Sequence, residues 1–234
     1  MPLPPKILSE GLRQFCKNDP RIDRLIAPCF NEIIASLTVY IEQIELYNPA
    51  WGLVGTRDRK EFIIRHILDS LAPLGIISRF LADDGSARVA DVGSGAGLPG
   101  FPLAITLPGV QFTLIERSGR RANFLRITQA ALGLANTAVE EAEMEKVVPG
   151  RFNVVTFRAF RPLEPKIFKK LLRLCTDGGV LAAYKGRCEK INAEMAALRN
   201  VLPDVAGRWE ILPCPVPMLE EERHLVIIRR QTSS

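Results

Sequence analysis

The spacing of apolar residues predicts helices in the first third of the chain. Between residues 26 and 47 the apolar side chains recur mostly at steps of three and four, which places them on one face of a helix. The same spacing recurs over residues 59–75, where Pro73 and Gly75 mark the end of the helix. We therefore expect residues 1–84 to form a helical extension in front of a second domain, residues 85–234.

From residue 86 the pattern changes to short apolar runs, which are typical of buried parallel strands. Four such runs predict strands at 87–92, 110–116, 152–157 and 179–184. The segments between and after them have helical spacing and predict helices at 101–107, 119–132, 164–175 and 188–201. Two further apolar runs, 208–213 and 223–230, are close enough in sequence to pair. The prediction is an α/β fold with a Rossmann-like, doubly wound sheet that ends in an antiparallel hairpin.

Composition indicates a globular, cytoplasmic protein. Hydrophobic residues make up 47% of the 234 residues, enough for a full core. The five cysteines are odd in number and form no C-x-x-C pair, which argues for free thiols and against a zinc site. The first residues do not have the pattern of a signal peptide. The longest uncharged stretch, 92–115, is interrupted by five glycines and three prolines, so we expect no membrane span.

Charge is distributed unevenly along the sequence. Residues 1–84 carry a net charge of −1, whereas residues 85–234 carry +6. A basic domain favours a phosphate-rich partner, although many ordinary enzymes have a similar excess. The basic runs at 116–126 and 165–173 are candidate phosphate contacts. The alternative is that they are ordinary solvent-exposed helix faces with no binding role.

The stretch ADVGSGAGLPGFPLAI, residues 90–105, can be interpreted in two registers. Starting at Gly95 it spells G-x-G-x-x-G, the fingerprint of a dinucleotide-binding turn. Starting at Gly93 it spells G-x-G-x-G, with Asp91 at the end of the preceding strand. The first register indicates a hydride-transfer enzyme, the second a methyl-transfer enzyme.

Asp91 favours the second register. A carboxylate beside a pyrophosphate would be repelled by on the order of a few kcal/mol, whereas S-adenosylmethionine carries a sulfonium and an ammonium and no phosphate. Gly93, Gly95 and Gly97 would let the backbone approach the cofactor closely. Glu116, at the end of the next strand, is placed to accept hydrogen bonds from ribose hydroxyls in either register.

Several segments together resemble one family. DVGSGAGLPGFPLAI, RHILDSL (65–71), FRAFRPL (157–163), YKG (184–186) and ERHLVIIRR (222–230) occur in the order seen in the bacterial small-subunit ribosomal RNA guanine-N7 methyltransferases, the RsmG or GidB family. The resemblance implies a class I methyltransferase fold, S-adenosylmethionine as donor, and a guanine in the 530 loop of 16S rRNA (G527) within the small subunit as target. It places cofactor contacts on these residues: Gly93, Leu98, Glu116, Ala142, Glu143 and Arg158.

The chain departs from the family pattern at two places. It has Gly52-Leu53-Val54 where the family has Asn-Leu-Thr, and Glu116-Arg117 where the family often has Asp-Ser. The first change puts any polar contact there in question, and the second adds only one methylene to the reach of the acid.

The predicted chemistry needs no general base, because guanine N7 has an in-plane lone pair that attacks a methyl without prior deprotonation. Alignment of the two reactants can lower the barrier by ~7–11 kcal/mol. Arg161, Lys185 and Arg187 are candidate RNA contacts, since they follow strands at the edge where such sheets bind ligands. His66 and Asp69 share a helix face but lack metal-ligand partners, so we expect them to tie the extension to the sheet.

The leading prediction is a monomeric rRNA guanine-N7 methyltransferase that uses no metal. The alternatives are a methyltransferase of another RNA or of a small molecule, an NAD-dependent oxidoreductase using the Gly95 register, and a non-catalytic RNA-binding protein that keeps the cofactor fold.

Overall fold

The computed structural model describes residues 6–82, 84–158, 164–202 and 208–231. Seven strands form one mixed sheet in the spatial order β3-β2-β1-β4-β5-β7-β6. The strands are β1 (Arg88–Val92), β2 (Gln111–Glu116), β3 (Thr137–Glu141), β4 (Phe152–Phe157), β5 (Cys175–Lys185), β6 (Trp209–Pro213) and β7 (His224–Arg229). The first five strands run parallel, and β7 pairs antiparallel with both β5 and β6.

Helices precede the sheet and connect its strands. Before β1 lie α1 (Lys6–Asn18), α2 (Pro20–Ile26), α3 (Phe30–Trp51), α4 (Arg59–Phe62), α5 (Asp69–Leu71) and α6 (Leu74–Ile77). A π-helical segment, Ile63–Leu68, joins α4 to α5, and 3-10 turns occur at Ala27–Cys29 and Ser78–Phe80. Between the strands lie α7 (Gly100–Thr106), α8 (Gly119–Leu132), α9 (Pro165–Leu172) and α10 (Cys188–Val201).

The fold class and the terminal antiparallel hairpin are confirmed, but the sequence pattern missed one strand. The missed strand is β3, whose five residues Thr-Ala-Val-Glu-Glu include two charged side chains and no apolar run. It lies at the edge of the sheet and pairs only with β2, so most of its side chains are partly or fully exposed. An edge strand with one neighbour needs no continuous apolar sequence, which is why periodicity did not reveal it.

One hydrophobic cluster continues from the helices before β1 into the sheet. It includes Leu37 and Ile41 of α3, Phe101 of α7, and Leu114 of β2. Helix α7 is buried along its whole length, between β2 on one side and α3 on the other. The helices before β1 therefore pack directly on the elements that flank the glycine-rich turn.

The stretch Pro20–Trp51 has the length and apolar composition of a helix that could cross a membrane. Core helices of soluble proteins meet the same criterion, so this observation is weak evidence for a span. In this structure the stretch comprises α2, a 3-10 turn and α3, and seven residues of α3 are buried within the protein.

Candidate cofactor site

The glycine-rich turn follows β1 directly at the carboxyl edge of the sheet. Its backbone is held against β2, because the Gly93 and Ser94 N–H groups both donate to the Ile115 carbonyl, at 2.8 and 3.1 Å. Gly93, Gly95 and Gly97 all have positive φ. A Cβ at position 97 would also collide with the ring of Phe101, so this position requires glycine for space as well as for conformation.

The buried Asp91 carboxylate holds the glycine-rich turn through two hydrogen bonds. Its Oδ2 accepts hydrogen bonds from Ser94 Oγ at 2.6 Å and from the Gly100 N–H at 3.0 Å. The other oxygen, Oδ1, is buried with no hydrogen-bond partner among the described residues. Burial raises the pKa of Asp91 to about 6, against the opposing effect of its two hydrogen bonds. Asp91 thus joins both ends of the turn, and its direct contact with a cofactor stays a prediction.

Glu116 ends β2 beside the turn. Its Oε2 accepts a hydrogen bond from the Gly95 N–H, and its Oε1 accepts one from the Ser118 N–H, both at 2.9 Å. The carboxylate is therefore fixed in place by two backbone donors while it lines a cavity. A fixed acceptor pair of this kind suits the two neighbouring hydroxyls of a ribose.

A cavity of about 840 Å³ opens above the turn. Seven of the nine predicted cofactor residues line it: Gly93, Gly95, Leu98, Glu116, Ala142, Glu143 and Arg158. The other two are buried: Asp91 lies in β1, directly before the turn, and Gly97 lies in the turn itself. Most of the residues predicted from the sequence as cofactor contacts therefore lie around one cavity.

Arg158, at the end of β4, is bound to the helices before β1 as well as lining the cavity. Its Nη2 lies 2.9 Å from Asp69 Oδ2 and 3.1 Å from His66 Nδ1. It also donates to the carbonyls of Arg65 and His66 in the π-helical segment. Asp69 contacts a second guanidinium, that of Arg223, at 3.1 Å. His66 and Asp69 thus tie the helical extension to the sheet, as predicted.

His66 lines the cofactor cavity, which the sequence did not predict. Burial, with the nearby arginine charges, lowers the pKa of His66 to about 4, so the ring is neutral near pH 7. Since Arg158 donates to Nδ1, the neutral ring carries its proton on Nε2.

Leu53, Val54 and Gly55 also line the cavity. The only sequence signal for this segment was its departure from the family pattern at residues 52–54. The Val54 N–H donates to Asn48 Oδ1 at 2.9 Å, so the segment is held through its backbone. An apolar residue can therefore form this wall without leaving its amide group unpaired.

The structure describes two of the three predicted RNA contacts, Lys185 and Arg187. Arg161 lies outside the described residues. Lys185 is in an ion pair with Glu194, with its Nζ at 2.8 and 3.0 Å from the two carboxylate oxygens. Arg187 is exposed and lines a second cavity, of about 880 Å³, between the start of α10 and the loop before β7. Among the described residues there is no group of three or more histidine, cysteine or acidic side chains that could hold a metal.

The residues around the first cavity fit S-adenosylmethionine. The cavity has the volume of a small-molecule site, and its walls combine apolar side chains with a few fixed polar groups. Leu98, Ile115 and Ala142 provide apolar surface, and Glu116 provides the hydroxyl acceptor. The cavity also lies at the edge of the sheet where open α/β folds bind ligands.

Comparison with solved structures gives the same fold. The tRNA (m1A58) methyltransferase TrmI from Aquifex aeolicus superimposes with a TM-score of 0.54 at 14% identity, over 71% of this chain and 69% of that one. A S-adenosylmethionine-dependent methyltransferase from Aquifex aeolicus gives 0.51 at 20% identity, over 69% and 92%. At these identities the likeness establishes the fold, that of the class I S-adenosylmethionine-dependent methyltransferases.

Comparison of sequences is more specific. The family model described as rRNA small subunit methyltransferase G, GidB, matches residues 33–205. The protein named ribosomal RNA small subunit methyltransferase G from Stenotrophomonas maltophilia K279a is 38% identical over 97% of both chains. The protein of the same name from Treponema denticola is 32% identical over 96% of this chain and 94% of its own. The chain belongs to the rRNA small subunit methyltransferase G family.

Proposed function

We propose that this protein transfers a methyl group from S-adenosylmethionine to N7 of a guanine in the 530 loop of 16S rRNA, G527 in the conventional numbering. The observation that carries the proposal is the cavity above the Gly93–Gly97 turn, with the fixed Glu116 carboxylate, in a chain that belongs to this family. Residues 85–234 would carry the reaction and residues 1–84 would close one side of the site. We expect a monomeric, cytoplasmic enzyme that needs neither a metal nor a membrane.

The bound cofactor would supply an electrophilic methyl group on a sulfonium. Glu116 would accept the ribose hydroxyls, and the backbone of Gly93 and Gly95 would lie close to the rest of the molecule. Ala142 and Glu143 would border the adenine. Leu98 and Arg158 would form walls of the cavity. These residues fix the methyl in one position, and alignment of this kind can lower the barrier by ~7–11 kcal/mol.

No side chain has to remove a proton, because the guanine N7 lone pair is already free. His66 is neutral and holds its proton on Nε2, so it would act as a hydrogen-bond donor in the cavity rather than as a base. Apolar surface from Leu98 and Ile115 would exclude water while the positive charge disperses.

A basic rim beside the cavity supports an RNA substrate. We define this rim as Arg117, in the loop before α8, and Arg120 and Arg121, in the first turn of α8. All three side chains are exposed and have no ion-pair partner within the described ranges. Arg117 and Arg121 also line the cofactor cavity, so a phosphate backbone bound to the rim would lie next to the site.

The proposal is tested by mapping N7-methylguanine in 16S rRNA by borohydride and aniline cleavage, in cells with and without the gene. We expect cleavage at G527 to disappear in the deletion strain and to return with the wild-type gene. An unchanged signal would refute the target. Incubating the purified protein with naked 16S rRNA and with 30S particles in parallel would identify which form is methylated.

The cofactor is tested separately by calorimetric titration. We expect S-adenosylhomocysteine to bind the purified protein with one site per chain and NAD to give no signal. Binding of NAD alone would refute methyl transfer and restore the Gly95 register.

A further inference from the structure

Tyr40 connects the helical extension to the glycine-rich turn. It lies in the middle of α3, fully buried, and its hydroxyl donates a 2.8 Å hydrogen bond to the Ala96 carbonyl. Ala96 sits between Gly95 and Gly97 and lines the cofactor cavity. The contact joins residues 56 positions apart in the sequence.

The ring of Tyr40 is held on two sides by aromatic neighbours. It lies 5.5 Å from the ring of Phe101 and 6.4 Å from that of Phe62, between ring centroids. Phe101 is the residue that leaves no room for a side chain at position 97. Tyr40, Phe101 and Gly97 therefore form a packed layer behind the turn, so the position of the hydroxyl is set by the core.

The other hydrogen bonds described above for this turn come from the turn itself or the sheet. Gly93 and Ser94 are bonded to Ile115, Gly95 to Glu116, and Ser94 and Gly100 to Asp91. None of these bonds involves the Ala96 carbonyl. Tyr40 supplies the side-chain donor for this carbonyl, and it comes from the extension rather than from the sheet.

We propose that Tyr40 is a positioning residue for the cofactor, which holds the Gly95–Leu98 backbone in its binding conformation through the Ala96 carbonyl. The inference rests on the proposed use of this cavity for S-adenosylmethionine. The helical extension is then part of the cofactor site, although Tyr40 itself does not line the cavity.

The hydroxyl acts as a donor throughout the working pH range. Burial raises the pKa of Tyr40 well above its ordinary value, and the nearby Asp91 carboxylate raises it further. The phenol therefore stays protonated and keeps its hydrogen bond to Ala96.

The test compares Tyr40→Phe with a matched control, Tyr184→Phe. The Tyr184 hydroxyl donates a 2.8 Å hydrogen bond to the Ser70 carbonyl, so its loss removes a tyrosine hydroxyl–carbonyl bond of the same length that does not involve the turn. We expect the dissociation constant for S-adenosylhomocysteine to rise about five- to tenfold in Tyr40→Phe and to change less than twofold in Tyr184→Phe. In hydrogen exchange without ligand, the amides of Gly97 and Leu98 should exchange faster in Tyr40→Phe only.

A second pair of variants separates hydrogen bonding from folding. 4-Fluorophenylalanine at position 40 fills the space of the hydroxyl without donating, whereas 4-aminophenylalanine donates. We expect the amino variant to restore the affinity and the slow exchange that the fluoro variant loses.

The proposal is overturned if Tyr40→Phe binds S-adenosylhomocysteine as tightly as Tyr184→Phe, or if the amino and fluoro variants do not differ. Wild-type protein in the same titration distinguishes this failure from failure of the proposed function. If wild type binds the ligand and the Tyr40 variants bind equally well, only the role of Tyr40 is wrong. If wild type does not bind, the proposed cofactor is wrong.

Discussion

The Arg158 guanidinium lies 2.9 Å from the Asp69 carboxylate, and this ion pair joins the end of β4 to the helices before β1. The Asp69 side chain is only 6% exposed, and its other oxygen accepts a hydrogen bond from Arg223, just before β7. One carboxylate therefore holds two segments of the sheet's carboxyl edge to the helical extension. Since Arg158 also lines the cofactor cavity, the same contacts set the position of one cavity wall.

We expect Asp69→Asn to lower the free energy of unfolding by about 3 kcal/mol, because it leaves two partly buried guanidinium groups without their counter-charge. Urea denaturation of the purified protein measures this loss. Asp177→Asn is the control, because Asp177 pairs with Arg230 at 3.3 Å at an exposed position. Its loss should cost under about 1 kcal/mol. Equal losses in the two variants would show that the Asp69 pairs are no stronger than a surface contact.

Glu116→Gln tests the ribose acceptor. Its effect should appear in the affinity for S-adenosylhomocysteine, which we expect to fall at least about tenfold, because hydrogen bonds to a charged group contribute ~1.5–3 kcal/mol each. The control is Glu141→Gln. Glu141 is directly opposite Glu116 in the β2–β3 register, but it is exposed, pairs with Arg126 and is absent from the cavity lining. Calorimetric titration of both variants decides the matter, and equal affinities would exclude Glu116 as a ligand.

Parts of the site were predictable from sequence because they follow strand ends. The carboxyl ends of β1, β2 and β4 meet at one edge of the sheet, so Gly93, Glu116 and Arg158 had to lie near each other once the strands were identified. The ranges of β4, α8 and α10 were predicted to the residue, since long apolar runs and helical spacing mark them clearly.

Other parts depend on tertiary contacts that leave no local pattern. Tyr40 is one apolar position among many in α3, and only the packing of α3 on α7 brings its hydroxyl to Ala96. His66 lies in a π-helical segment that apolar spacing does not predict, and it lines the cavity. Strand β3 is too polar and too exposed to be recognised from its sequence. The sequence also could not show that Arg158 both pairs with Asp69 and lines the cavity. An arginine directly after a buried strand is consistent with either role.

The basic rim predicts salt-sensitive RNA binding. Replacing Arg120 and Arg121 together by glutamine should weaken binding of a 530-loop RNA and reduce the slope of log K against log salt by about 0.7 for each lost phosphate contact. Filter binding at several salt concentrations measures the slope. The matched control replaces Arg21 and Arg24, two exposed arginines of α2 outside the cavity lining. If both double variants have the wild-type slope, the rim is a solvated helix face and RNA approaches from another side.

The raised pKa of Asp91 leads us to expect that the free energy of unfolding falls as the pH rises. Its pKa is about 6 in the folded protein, raised from an ordinary value of 3.8 by burial, so the folded state holds the proton more tightly than the unfolded state. Its contribution to stability is therefore fully present below about pH 4 and is lost as the pH rises through 6. The difference between the two pKa values corresponds to about 3 kcal/mol.

Urea denaturation of wild type and Asp91→Asn from pH 4.5 to pH 7 isolates this contribution, because the variant shares every other titrating group. The free energy of unfolding of wild type relative to the variant should fall as the pH rises. Asp84→Asn serves as the control. Hydrogen bonds from Ser86 lower the pKa of the exposed Asp84 below its ordinary value of 3.8, so this side chain is ionised in both the folded and the unfolded state over the whole range, and the difference between wild type and that variant should stay constant. If the Asp91 difference is flat across this range, Asp91 is ionised at all of these pH values. The buried Oδ1 oxygen would then need a donor, and a water molecule under the glycine turn would be the one to look for.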